Sequence, residues 1–212
     1  MQQTPLFADI LRVGLMGAIS PLQRISTIIV ITGLVSRFGH AALAGYGIGA
    51  RLELLMVPMI FGIGSALIFM VGTHIGAGAR AQRVAWVGAL GAAMITGTFG
   101  LTGALVPLAW GGLFTSDPAA LQSCVSYLRI VGPFYSFYGL GLALFFASQG
   151  AGKVLWPVLA ACVQLAIVVG GGALAVLWLG APLHSLFILI AVGLTVYGAG
   201  TALAIALGAW RR

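Results

Sequence analysis

Long, continuous apolar runs constrain this chain more than any other feature of its sequence. An α-helix needs about 20 consecutive apolar residues to cross the hydrocarbon core of a membrane. The chain has six such runs, at residues 6–36, 41–75, 84–106, 121–148, 154–177 and 186–209. Because the runs are continuous, they differ from the short alternating segments of a transmembrane barrel. We therefore predict an all-α membrane protein in which residues 1–212 form a single domain of six transmembrane helices.

The overall composition excludes a soluble domain. Hydrophobic residues make up 61% of the chain and charged residues only 6%, so there are too few polar side chains to cover a surface in water. The net charge of +7 raises the question of nucleic-acid binding, but the basic residues are scattered and form no patch. We expect membrane lipid around the chain and no nucleic-acid partner.

The loop charges predict the orientation of the helices. Arg37 stands alone on one side of the predicted bundle. The loops and the terminus on the other side contain Arg80, Arg83, Lys153, Arg211 and Arg212. Loops with an excess of Lys and Arg stay on the cytoplasmic side of a membrane. We therefore expect a multi-pass protein of the plasma (inner) membrane with both termini in the cytoplasm.

The second run carries charged residues at membrane depth. Glu53 is one of three acidic residues in the chain, and a carboxylate inside a membrane span is a candidate for ion or proton movement. A purely structural ion pair is the alternative role. Arg24 lies 13 residues before Arg37, and Glu53 lies 13 residues after His40. The two therefore have the same depth on antiparallel helices, and we predict that they approach each other, directly or through water.

Glu53 requires a partner, because a buried unpaired charge costs several kcal/mol. Arg51 is the local alternative to Arg24, but residues two apart on a helix do not share a face. Each arginine has either a counter-ion role or a structural role. The same run is rich in glycine, and Gly45 and Gly49 form a GxxxG pair that favours close contact with another helix.

The fourth run contributes the remaining candidates for a substrate pathway. Tyr135 and Tyr138 are three residues apart and share a helix face beyond Pro133, as the wall of a cavity requires. Simple packing and an interfacial aromatic belt are the alternatives. Arg129 lies eight residues into the same run, where it either reaches the outer headgroups or lines the cavity.

The sequence shows no catalytic apparatus and no metal or cofactor site, so we do not expect an enzyme. Asp9, Glu53 and Asp117 fall in three different segments, whereas metal-dependent phosphotransfer needs clustered carboxylates. Cys124 and Cys162 both lie inside apolar runs, as small buried hydrophobes do.

An ordered set of segments resembles the multidrug and toxic compound extrusion (MATE) transporters. The segments are RFG at 37–39, AALAGYGIGARLE at 41–53, Pro58 with GIGSA at 62–66, VGTHIGAG at 71–78 and FFASQGAG at 145–152. They follow the family's order and extend over most of the chain. The resemblance is to the carboxy-terminal half of the family's members.

The resemblance implies that the chain is one six-helix lobe of a two-lobe antiporter. Family members have about twelve spans in two lobes that are related by a pseudo-twofold axis along the membrane normal. They export organic cations and other drugs by alternating access, with sodium or protons as the coupling ion and without a cofactor. The implied partners are a drug or organic cation and either the missing amino-terminal lobe or a second copy of the chain.

The chain departs from the family pattern in two respects. Some sodium-coupled relatives bind a cation between carboxylates on the first and fourth helices of this lobe, but Arg24 and Tyr138 stand at those positions here. Coupling would then depend on Glu53, on the missing half, or on both. The second departure is the length, which suggests a truncated gene product or half of a split transporter.

Two alternatives stand beside the multidrug antiporter lobe. One is an inactive, truncated membrane remnant. The other is a lobe of a related lipid or polysaccharide flippase, because a cavity rich in basic residues would suit an anionic headgroup. Arg24, Arg51 and Arg129 are the residues that would line such a cavity.

Overall fold

The computed structural model describes residue 23, residues 25–74 and residues 79–210, and these residues fold into helices joined by short turns. The helices are α1 (Ile25–Ser36), α2 (His40–His74), α3 (Ala79–Leu105), α4 (Pro107–Gly112), α5 (Pro118–Val131), α6 (Tyr135–Gly150), α7 (Leu155–Leu165) and α8 (Leu183–Ala206). The prediction of an all-α membrane fold is confirmed.

Five stretches of the described chain are long and apolar enough to cross a membrane. They correspond in position to the last five of the expected spans. Helices α5 and α6 join into one stretch from Pro118 to Gly150, and α7 continues through π-helical turns to Trp178. The first expected span, 6–36, lies mostly outside the described residues, so the count of six spans stays a prediction.

Two helix boundaries differ from those expected, and both have a local cause. Helix α3 begins at Ala79 rather than at residue 84, because the intervening Ala, Arg and Gln residues are good helix formers. The connection expected at 107–120 contains α4, with Pro107 in its first turn, where proline is favoured. The next helix, α5, is capped by Asp117, whose carboxylate accepts a hydrogen bond from the backbone N–H of Ala119 at 3.1 Å.

Helix α6 is central to the bundle and packs against α2, α3 and α8. Apolar surface gains little by moving from lipid to another helix, so close backbone approach supplies the packing energy. Gly45 and Gly49 of α2 face α5, where a Cβ would overlap Ser123 and Tyr127. The GxxxG pair therefore makes the close helix contact that the sequence predicts. A 3₁₀ turn at Gly132–Phe134 joins α5 to α6 beside α3.

Candidate functional site

A cavity of about 490 Å³ lies inside the bundle, between α1, α2, α5, α6, α7 and α8. Its polar lining residues are Gln23, Thr27, Tyr46, Glu53, Tyr127, Tyr138, Gln149, Gln164 and Tyr197. Apolar side chains such as Phe61 and Phe146 complete the wall. The cavity is thus a mixed surface of amides, phenols and aromatic rings.

Glu53 is the charged residue of this cavity among the described residues. It lies half-buried on α2, two turns after Tyr46, so both side chains reach the same cavity. Tyr46 and Tyr127 line the same cavity as Glu53. The carboxylate therefore sits in a polar, aromatic environment at one side of the cavity.

A group of buried tyrosines stands beside Glu53. The hydroxyl of Tyr135 donates a hydrogen bond to the hydroxyl of Tyr127 at 3.3 Å. The Tyr127 ring meets Tyr46 and Phe187 edge to face, with ring centroids 5.4 and 5.2 Å apart. Edge-to-face contacts of this kind fix ring orientation. Because the rings are held, the side chains of Tyr46 and Tyr127 line the cavity in a set arrangement.

The two predicted wall residues, Tyr135 and Tyr138, occupy different positions. Tyr138 lines the cavity directly. Tyr135 is fully buried behind the wall and acts on it through its hydrogen bond to Tyr127. Tyr138 is therefore part of the cavity surface, and Tyr135 supports that surface by its hydrogen bond to Tyr127.

Arg51 and Arg129 do not line the cavity. Arg51 is exposed on α2, with its guanidinium 5.0 Å from the centre of the Phe114 ring, a distance typical of a cation–π contact. Its separation from the cavity agrees with the spacing argument that residues 51 and 53 lie on different faces. Arg129 is exposed at the last turn of α5. For Arg129 no spacing argument indicated the face of the helix on which the side chain lies.

Arg24 lies outside the described residues, so its predicted approach to Glu53 stays a prediction. Gln23, which precedes it, and Thr27, three residues later in α1, both line the cavity. Helix α1 therefore forms part of the site.

Three glutamines that line the cavity, Gln23, Gln149 and Gln164, were not predicted from the sequence. Gln149 closes α6, and Gln164 lies in α7 just before the π-helical segment Ala166–Gly171. An amide inside an apolar span is costly unless it is paired or lines a cavity. The same argument that singled out Glu53 would have found Gln23 and Gln164.

The arrangement is suited to binding a cation or a proton. Carboxylate, amide and phenol oxygens are the hard ligands that alkali and alkaline-earth cations prefer. The aromatic walls suit an organic cation, which is attracted to the faces of aromatic rings. Within the described residues, no group of three or more His, Cys, Asp or Glu side chains forms a candidate metal site.

Comparison with known protein families gives one family match. The family model MatE matches residues 22–170. Among curated proteins, the chain is 28% identical over 156 residues to a probable multidrug resistance protein NorM of Thermotoga maritima, covering 71% of this chain and 33% of that protein. It is 29% identical over 143 residues to an FAD transporter of Shewanella oneidensis, covering 64% of this chain and 29% of that protein.

Two solved structures share the fold. The MATE transporter ClbM in complex with Rb⁺ superposes with a TM-score of 0.83 and 21% identity, covering 98% of this chain and 47% of ClbM. A MOP superfamily transporter of Pyrococcus furiosus, described as having a binding pocket of reverse polarity, superposes with a TM-score of 0.72 and 14% identity over 92% of this chain. The chain spans about a third of the curated relatives and just under half of these transporters.

Proposed function

Since the chain belongs to the MatE family, a family of transporters and not of enzymes, we propose that it forms the carboxy-terminal lobe of a multidrug antiporter. The proposed transporter exports organic cations by alternating access and is driven by sodium or protons. No cofactor takes part in this scheme.

The position of Glu53 carries the proposal. It places a carboxylate among phenols and amides in a cavity at membrane depth. Ionised, it favours a cation in the cavity; neutralised by a proton, or shielded by sodium, it releases an organic cation. Because the Glu53 carboxylate would bind the coupling ion and the substrate in turn, it would link the movement of the ion to the export of the substrate. Tyr138 lines the same cavity, and Tyr135 supports Tyr127 from behind.

Among the described residues, the charge that lines the cavity is the carboxylate of Glu53, which favours a cationic substrate over an anionic one. A flippase lobe for anionic headgroups would need basic residues in the cavity, but Arg51 and Arg129 are exposed outside it. Phe61 and Phe146 meet edge to face at a centroid distance of 5.5 Å and offer aromatic surface to an organic cation. We therefore place these two arginines outside the substrate pathway and keep Arg24 as the proposed partner of Glu53.

The proposed transporter needs a second lobe. The ClbM chain is about twice as long as the part of it that this chain matches, and alternating access requires two lobes that move against each other. An amino-terminal lobe or a second copy of this chain would complete the pathway in the plasma (inner) membrane. An inactive remnant is the alternative.

Drug-resistance complementation tests this function in an efflux-deficient host. The chain is expressed alone and together with an amino-terminal MATE lobe, each as wild type and as Glu53→Gln. We expect resistance only on co-expression and its loss in Glu53→Gln, with unchanged protein in the membrane. Arg51→Gln is the matched control on the same helix and should retain resistance.

Each other outcome has a defined meaning. Resistance from the chain alone would show that two copies complete the pathway. Unchanged resistance in Glu53→Gln would remove Glu53 from the coupling mechanism. No resistance under any condition, with the wild-type chain present in the membrane, would favour the remnant.

A further inference from the structure

A second cavity, of about 510 Å³, lies on the outside of the bundle between α2 and α3. Apart from Arg80 and Arg83 at one end, its lining residues are apolar: Ile63, Ala66, Leu67 and Met70 of α2 and Val84, Val87 and Gly88 of α3. Gly88 allows Leu67 to pack directly on α3 and so forms the floor. We call this feature the α2–α3 groove.

The two arginines of the groove lie where a helix favours negative charge. Arg80 and Arg83 are exposed in the first turns of α3, which has no acidic residue in its first turn. The amino-terminal end of a helix is electropositive, so two cations there are unfavourable unless an anion is close. Of the described acids, Glu53 lines the internal cavity and Asp117 caps α5 at the opposite end of the bundle.

The length of the groove matches one leaflet of a bilayer. Ile63 and Met70 are about 10 Å apart along the axis of α2 at 1.5 Å per residue, within the roughly 15 Å that half of the hydrocarbon core provides. Its apolar part therefore lies at acyl-chain depth and its arginines at headgroup depth. Guanidinium groups bind phosphate oxygens through paired hydrogen bonds.

We propose that the α2–α3 groove binds one anionic phospholipid. An acyl chain lies against Leu67 and Gly88, and the phosphodiester is held between Arg80 and Arg83. Basic pockets between transmembrane helices are sites of anionic lipid recognition. The site is separate from the internal cavity, and it does not depend on the transport activity proposed above.

Native mass spectrometry of the purified protein tests the site, with phosphatidylglycerol and phosphatidylcholine of the same acyl chains as probes. We expect the wild type to bind phosphatidylglycerol at least tenfold more tightly. Arg80→Gln/Arg83→Gln should lose this preference. Lys153→Gln removes a cation at the same end of the bundle but outside the groove, and it should keep the preference.

A second pair of variants tests the apolar part of the groove without changing charge. Ala66→Phe fills the groove and should weaken binding of both lipids. Leu90→Phe, on the exposed surface of α3 outside the groove, should not. Melting temperatures measured without added lipid check that all four variants are folded. Added phosphatidylglycerol should raise the melting temperature of the wild type but not that of the double arginine variant.

Three results would overturn the proposal. Equal binding of the two lipids by the wild type would mean that the groove does not select an anionic lipid, which would leave a second lobe as the alternative occupant. Equal loss in Lys153→Gln and the arginine variant would indicate general charge attraction at this end. Unchanged binding in Ala66→Phe would place the lipid outside the groove. None of these results bears on the drug-resistance experiment, because that experiment depends on Glu53 in the internal cavity and not on the groove.

Discussion

At the scale of single residues, the candidate site depends on individual buried hydroxyl groups. Tyr135 and Tyr127 are both almost completely buried, and the hydroxyl of one donates to the hydroxyl of the other. A buried hydroxyl that loses its hydrogen-bond partner costs free energy. The tyrosines therefore contribute to stability and, through Glu53, to the electrostatics of the cavity.

Tyr135→Phe separates the hydroxyl from the ring. The variant keeps the aromatic packing and removes one donor, so we expect a loss of about 1 kcal/mol. This corresponds to about 2–4 °C in melting temperature for a chain of this size, measured by tryptophan fluorescence in detergent. Tyr135→Ala also empties the ring's volume and should cost about 3–5 kcal/mol. Equal losses in the two variants would show that the ring contributes little.

At the scale of helices, the contact between α2 and α5 rests on glycine. At Gly45 an added Cβ would come within 3 Å of the carbonyl of Ala120, of Ser123 and of the backbone N of Cys124. Backbone atoms cannot move aside as a flexible side chain can. Two residues further on, Gly47 has nothing within 4 Å of an added Cβ. The two positions form a matched pair on one helix.

Gly45→Ala should push α2 away from α5 and lower stability by about 1–3 kcal/mol. Gly47→Ala should be neutral or stabilise by up to about 1 kcal/mol, because alanine is the better helix former. Chemical unfolding in detergent measures both. A Gly47→Ala variant that is as unstable as Gly45→Ala would mean that helix flexibility, not the α2–α5 contact, is the reason for these glycines.

Helices were easier to predict from sequence than the faces they present. Continuous apolar runs indicated the positions of α2, α3, α5 with α6, α7 and α8, because membrane insertion depends on total hydropathy. The short helix α4 was missed, since six residues give no periodic signal. Glu53 could be found from its charge and depth. The spacing of Arg51 and Glu53 indicated that these two side chains lie on different faces. The position of Arg129 outside the cavity could not be found, because an arginine at this depth can either reach the headgroups or line a cavity.

For the molecule as a whole, the basic residues of the described loops and helix ends are concentrated at one end of the bundle. Arg80 and Arg83 begin α3 and Lys153 follows α6 at one end, whereas Arg37 follows α1 at the other. The exposed loop at Ser116, between α4 and α5, lies at the end of Arg37. The positive-inside rule then assigns the Lys153 end to the cytoplasm.

Cysteine labelling in intact cells tests this orientation. Cys124 and Cys162 are replaced by alanine, and Ser116→Cys and Lys153→Cys are introduced one at a time. With a membrane-impermeant maleimide, Ser116→Cys should react in intact cells and Lys153→Cys only after permeabilisation. Arg80 and Arg83 remain in both proteins, so the charge bias that sets the orientation persists. The reverse pattern would invert the topology and place the Lys153 end outside the cytoplasm. Labelling of both sites in intact cells would indicate a mixed orientation, as weak charge bias allows.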